Sequence, residues 1–197
     1  MKTYINIFTL FGVFIMNAQI LDIEEVSHLP ITNPNIYWRD NNLILNEFEG
    51  IYLYNNDNIQ FELHLEKKEN VFYIDSHYDL IVGEYKLTNS NQEIYNTLNN
   101  INVDYVDKTL HSIHGFIILN GPELYYCDNC SANEKRLVLT FDDKIKNIHG
   151  YCIIQKVLIN NQIGIKVFIT YYGNVINTTV FSNLPSVPAG TYYLLKQ

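Results

Sequence analysis

Ile59-Gln60-Phe61-Glu62-Leu63-His64-Leu65-Glu66 is apolar at every odd position and polar at every even one. That period of two describes a strand with one face on a core and the other in water. The preceding segment, Phe48 to Tyr54, reaches it through Asn55-Asn56-Asp57-Asn58. Asn and Asp tolerate positive φ, so the two segments are expected to form a hairpin. Further strands are expected at Val71–Asp75, Asp79–Leu87, Phe116–Asn120, Arg136–Phe141, Tyr151–Ile159, Ile163–Tyr172, Val175–Phe181 and Thr191–Leu195. Of their links, Asn160-Asn161 and Gly173-Asn174 are short enough for tight hairpins between antiparallel neighbours. About ten short strands without alternating long helices predict one all-β domain, an antiparallel barrel or a sandwich.

Only two regions could be helical. Glu93 to Ile101 spaces Ile94, Leu98 and Ile101 at i, i+4 and i+7, and Val103 to His114 is ambiguous. Residues 19–45 lack periodicity and contain Pro30 and Pro34, so they read as an arm leading into an all-β domain at 46–197. Alanine occurs only at positions 18, 132 and 189, whereas Ile, Val, Tyr and Phe are plentiful. That balance penalises helix and favours pleated, half-buried surfaces.

The 13 basic and 21 acidic residues give a formal charge of −8. Lys67-Lys68 and Lys135-Arg136 are isolated pairs, so there is no concentrated basic surface to neutralise phosphates. Nucleic-acid partners and anionic membrane surfaces are therefore disfavoured.

The first eighteen residues have the pattern of a secretory signal peptide: Lys2, a mostly apolar run from Ile5 to Ile15, then Met16-Asn17-Ala18 before Gln19. The run contains Asn6 and Thr9 and falls short of the roughly 20 residues a spanning helix needs. Asp22, Glu24 and Glu25 follow it rather than a Lys/Arg stop, and no Cys sits at the cut for a lipid anchor. Export to the periplasm or beyond the cell as a soluble product, without stable membrane insertion, is the expectation.

Several groupings were weighed for chemistry. Cys127-Asp128-Asn129-Cys130 is a C-x-x-C. In an exported chain it is expected to close a small disulfide ring across a turn, with free thiols as the competing reading. Adding His149 and Cys152 gives a Cys3His set that zinc would need to find converging tetrahedrally. Cys152, however, falls inside an apolar strand. Asp104, Asp107, His111 and His114 would form one stripe on a helix and could face a divalent ion, but would diverge on a strand or loop. Ser112 has no nucleophile elbow around it. Asp142 and Asp143 are sequence neighbours that a strand would point to opposite faces, and they read as turn residues. No glycine-rich phosphate loop is present, so no cofactor, catalytic residue or metal site is expected. Trp38 and the tyrosines could stack on a ligand but suit core-edge packing better.

Three stretches carry a family resemblance: Tyr37-Trp38-Arg39-Asp40 with Asn42, Phe48-Glu49-Gly50-Ile51-Tyr52, and Asp79-Leu80-Ile81-Val82-Gly83-Glu84-Tyr85. Leu98 after Asn96-Thr97 continues the third, and Pro188-Ala189-Gly190-Thr191-Tyr192 adds a matching end. Together they resemble a family of uncharacterised exported proteins of the Bacteroidetes lineage, grouped as a domain of unknown function. Its members typically carry a signal peptide, a Y-x-K-D-like segment, an F-x-G-x-W strand start and an I-G-E-Y strand. Here Arg39 stands for the usual Lys and Tyr52 for the usual Trp. The resemblance spans most of the chain, is strongest over residues 37–98, and implies no activity. The F-x-G-x-[WY] opening also resembles lipocalin-like barrels, in which the glycine permits close approach and an aromatic plugs the closed end. A lipocalin-like barrel implies a cavity for one small molecule.

The expected function is thus non-enzymatic: binding a small apolar ligand in a barrel cavity. The alternative is a structural or surface-interaction protein of the cell envelope, with an envelope protein as its partner.

Overall fold

A computed structural model describes residues 19–28, 36–56, 58–74, 76–121, 127, 130–144, 146–172 and 184–197. The expected signal peptide at 1–18, Pro30 and Pro34, the Val175–Phe181 strand and the Gly173-Asn174 turn lie outside these residues. The described strands are β1 (Gln19–Asp22), β2 (Ile36–Arg39), β3 (Gly50–Asn56), β4 (Ile59–Tyr73), β5 (Ser76–Asn89), β6 (Gln92–Asn96), β7 (Ile113–Asn120), β8 (Lys135–Asp143), β9 (Ile148–Ile159), β10 (Gln162–Tyr171) and β11 (Gly190–Lys196). Between them are short 3-10 turns, and among the described residues no helix is long and apolar enough to cross a membrane.

Eight of the strands close on themselves. The path runs β5-β4-β3-β11-β10-β9-β8-β7, every pairing is antiparallel, and β7 returns to β5 through Ile81↔Gly115, Val82↔His114 and Gly83↔Ile113. The fold is therefore a closed barrel, and the sandwich alternative is set aside by that return pairing. Closure makes β5 the branching strand. Its far edge takes β2 at His77 and Tyr78, then β7, then β6 from Lys86 onward.

The opening octapeptide lies in β4 with its alternation intact: Phe61, Leu63 and Leu65 are buried, while Glu62, His64 and Glu66 are partly exposed. The segment expected at 59–66 and residues 71–73 of that expected at 71–75 are one strand, interrupted by a bulge between Lys68 and Val71 where Asn70 takes φ 52°. The expected helix at Glu93–Ile101 is not formed. Ser90 and Asn91 hold φ of 49° and 64°, a turn that folds β6 back on β5 and buries Tyr95 against Tyr85 with ring centroids 4.6 Å apart. Leu98–Asn102 is only a 3-10 turn. The Asn160-Asn161 turn is as expected, with φ of 50° and 63° and Ile159 paired to Gln162.

Both barrel ends are covered. At the β4–β5 end, Trp38, Leu45 and Phe48 are buried, and Tyr52 Oη donates back to the Phe48 carbonyl. Asp40 accepts the amides of Ile44 and Leu45, while Asp79 accepts from Tyr37 Oη and the amides of Asp40 and Asn70. The stretch 36–48 is thereby tied to β5. At the opposite end Val187 is buried, its carbonyl accepts from Tyr171 Oη, and the Ser186 amide donates to Asp143.

Candidate functional site

The sequence brought Asp104, Asp107, His111 and His114 forward as one helical stripe; the chain there is not an α-helix, and the four separate. Asp104 pairs with Lys108, and Asp107 caps the 3-10 turn Lys108–Leu110 by accepting from Thr109. His111 is fully buried on Glu84, Nδ1 to Oε1 2.9 Å, beneath the connection that covers the outer face of β5. Ser112 lends its amide to the same Glu84 oxygen, and its hydroxyl meets Thr97 Oγ1 at 3.2 Å. Of the four, His114 lines a cleft on the outer wall.

The second set also fails to converge. Cys127 and Cys130 are joined as a disulfide with Cα atoms 5.5 Å apart. Cys152 pairs with Leu139 on the inward face of β9, and burial pushes its thiol up to about 12. His149, an odd number of residues away, lies on the outward face and bonds Asp142. Among the described residues, no group of three or more His, Cys, Asp or Glu could hold a metal ion.

Asp142 and Asp143 end β8 rather than forming a turn, and they do point apart. Asp143 turns inward to the plugged end and accepts from Lys146 and Ser186 amides. Asp142 turns outward and is nearly buried. It accepts from His149 Nδ1 at 2.9 Å and Lys144 Nζ at 2.8 Å, with His114 Nε2 at 3.8 Å. That last distance is electrostatic contact, too long for a hydrogen bond. Burial opposes the charge on Asp142, but these three partners outweigh it and hold its carboxyl well below the usual carboxylate range. The other ring nitrogen of His114 lies 2.9 Å from Tyr73 Oη. Burial foremost, then the charges of Asp107 and Asp142, raise the Tyr73 pKa, so its phenol stays protonated.

Tyr73 and His114 form the polar end of a cleft of about 390 Å³ on the outside of the barrel. Its floor is the outward face of β8 and β9, with Val138 paired to Ile153 and Thr140 to Tyr151. Ile74, at the exposed tip of the β4–β5 hairpin, and Tyr172 add to its walls. The Tyr151 and Tyr172 rings lie 5.8 Å apart, tilted by 46°. The volume falls in the range of small-molecule sites, and the lining is predominantly apolar with few convergent polar groups.

The lumen has a different character. Phe61 lies edge-on to Tyr85 and Phe141, with centroids 5.9 and 6.5 Å away, and 5.5 Å from Tyr192. Tyr85 stacks on Phe141 at 4.8 Å. The interior of an eight-stranded barrel is wide enough for its own side chains or for one small ligand, and here these four rings pack against one another within it. Trp38, weighed above as a stacking residue, is buried at the β4–β5 end.

Sequence reasoning passed over Tyr73, Val138, Thr140, Tyr151 and Tyr172 as site residues. A signal was present: Leu137-Val138-Leu139 and Tyr151-Cys152-Ile153-Ile154 are apolar in both phases. A half-buried strand alternates, so strands apolar in both phases point to an outer face that is not simply solvated.

The model of a family of unknown function, DUF6705, matches residues 1–197, and the chain belongs to that family. No curated protein and no solved structure matches it.

Proposed function

We propose that this chain, as a member of the DUF6705 family, is an exported, non-enzymatic binding protein for a small apolar ligand, and that the ligand occupies the outer cleft rather than the lumen. The observation that carries this reading is the pairing of an apolar 390 Å³ cleft on the wall with a lumen crossed by four packed rings. The function is lipocalin-like in kind, with the site moved from the inside of the barrel to its outside. His111 and Ser112, which lie away from the cleft, are tied to Glu84 and Thr97, and this supports a binding role.

A neutral fluorescent probe, N-phenyl-1-naphthylamine, tests it. Binding is expected, and Val138→Trp, which fills the cleft from its floor, is expected to abolish it while leaving the melting temperature within a few degrees. Undiminished binding in that variant would overturn the cleft assignment. Export rests on the N-terminal pattern, and N-terminal sequencing of protein recovered from the periplasm or medium is expected to begin at Gln19.

A second reading has its own support. Leu158 and Ile163, at the β9–β10 turn, are 73% and 64% exposed, which suits an envelope protein that docks through this rim. Under that reading the double variant Leu158→Ser/Ile163→Ser would lose envelope association while still binding the probe.

A further inference from the structure

The polar end of the cleft has a definite polarity. Tyr73 Oη and His114 Nδ1 are 2.9 Å apart, and one proton lies between them. We assign the N–H of the neutral imidazole to Nε2, the nitrogen that faces the Asp142 carboxylate at 3.8 Å. With that tautomer Nδ1 accepts and Tyr73 donates to His114. Among the described residues its oxygen makes no other hydrogen bond, so its lone pairs are what it offers to the cleft. Thr140, paired with His114 across β7 and β8, adds a hydroxyl able to serve either way.

Charge points in the same direction. Asp142 and Asp107 both act on Tyr73, and the hydrogen bonds from Thr109 hold Asp107 below its ordinary value, so it too is ionised at neutral pH. Lys144 is bound to Asp142 Oδ2 and the Thr109 carbonyl, each at 2.8 Å, and Lys108 is paired with Asp104. Among the described residues these ammonium groups are held by carboxylates and carbonyls behind a neutral phenol.

We infer that the cleft selects ligands with an aromatic or apolar body and a hydrogen-bond-donating head, a hydroxyl or an ammonium, and disfavours carboxylates. The head group lies on Tyr73 Oη, and the body lies on Ile153 and the Tyr151 and Tyr172 rings. An ammonium gains in addition from those ring faces. The inference rests on the cleft being the ligand site.

The test uses four probes with one body: 1-methylnaphthalene, 1-naphthylmethanol, 1-naphthylmethylammonium and 1-naphthoate, titrated calorimetrically at pH 7.5. The alcohol and the ammonium are expected to bind on the order of tenfold more tightly than 1-methylnaphthalene, and the carboxylate more weakly than it. In Tyr73→Phe, which keeps the ring against Phe116 and Tyr78, the advantage of the donor heads disappears and 1-methylnaphthalene binds as before. Thr140→Val retains the advantage. Equal binding of all four probes, tighter binding of 1-naphthoate, or loss of the advantage in Thr140→Val but not Tyr73→Phe overturns this inference alone. If 1-methylnaphthalene itself does not bind, the cleft reading falls and takes this one with it.

Discussion

At Asp79 one buried carboxylate takes three donors: the Tyr37 phenol at 2.6 Å, the Asp40 amide at 2.9 Å and the Asn70 amide at 3.0 Å. Asp40 in turn takes two amides and Lys67 Nζ at 3.2 Å. Two of the stretches that carry the family resemblance, 37–40 and 79–85, meet in this network. Their work is to seat the arm on the barrel. Asp79→Ala strands the donors of one buried and two part-buried hydrogen bonds, so a loss of about 1–3 kcal/mol is expected from urea unfolding. Asp142 affects stability through pH. Its folded pKa is depressed, so its contribution is present above the unfolded value of about 4 and drains away as pH falls below that. Asp142→Asn should therefore be less stable at pH 7 and show a shallower loss between about pH 5 and 2. Among the three cysteines, the native protein should show no thiol accessible to Ellman's reagent, and the unfolded, unreduced protein one, Cys152. Two or more accessible native thiols would deny the Cys127–Cys130 bond. The Cys127-x-x-Cys130 pair is local and was legible in the sequence, whereas the partners of Asp79 and the approach of His114 to Asp142 were not, because they join residues brought together only by closure and packing.

The long barrel strands were legible, but their extent was not, and neither were β1 and β2 in the arm or β6. The alternation in 59–66 marked β4 correctly, but the run Lys67-Lys68-Glu69-Asn70 hid its continuation, since a bulge shifts the phase by which alternation is recognised. At β6 the apolar spacing of Ile94, Leu98 and Ile101 imitated a helix. The Ser90-Asn91 turn and the stacking of Tyr95 on Tyr85 decided otherwise, tertiary packing overriding a short local pattern. The outer sites were missed for a related reason: outward apolar residues on β8 and β9 signal a covered face without saying what covers it. Gly83 is the element-scale pivot, where β5 touches β4 and β7 at once. A Cβ there would meet Leu65 Cδ2 at 2.7 Å, the His64 carbonyl at 2.9 Å and Ile113 Cβ at 3.2 Å. Gly83→Ala is expected to cost about 1–3 kcal/mol and to raise hydrogen exchange first at the β5–β7 seam. Exchange rising uniformly, with no preference for that seam, would contradict the assignment of closure to this residue.

At the scale of the whole molecule, four aromatic rings pack against one another inside the closed barrel, and the proposed ligand site lies on its outer wall. The polar cluster and the apolar cleft stand there together, beside the hairpin that overruns the β5–β7 pairing. Methyl NMR of the Ile, Leu and Val side chains tests this directly, with 1-naphthylmethanol added stepwise to the protein. Shifts are predicted at Ile74, Ile117, Val138 and Ile153 around the cleft, and none at Leu63, Leu65, Val167 and Leu194 in the lumen. Shifts concentrated on the lumen methyls, with the cleft methyls unmoved, would contradict the account.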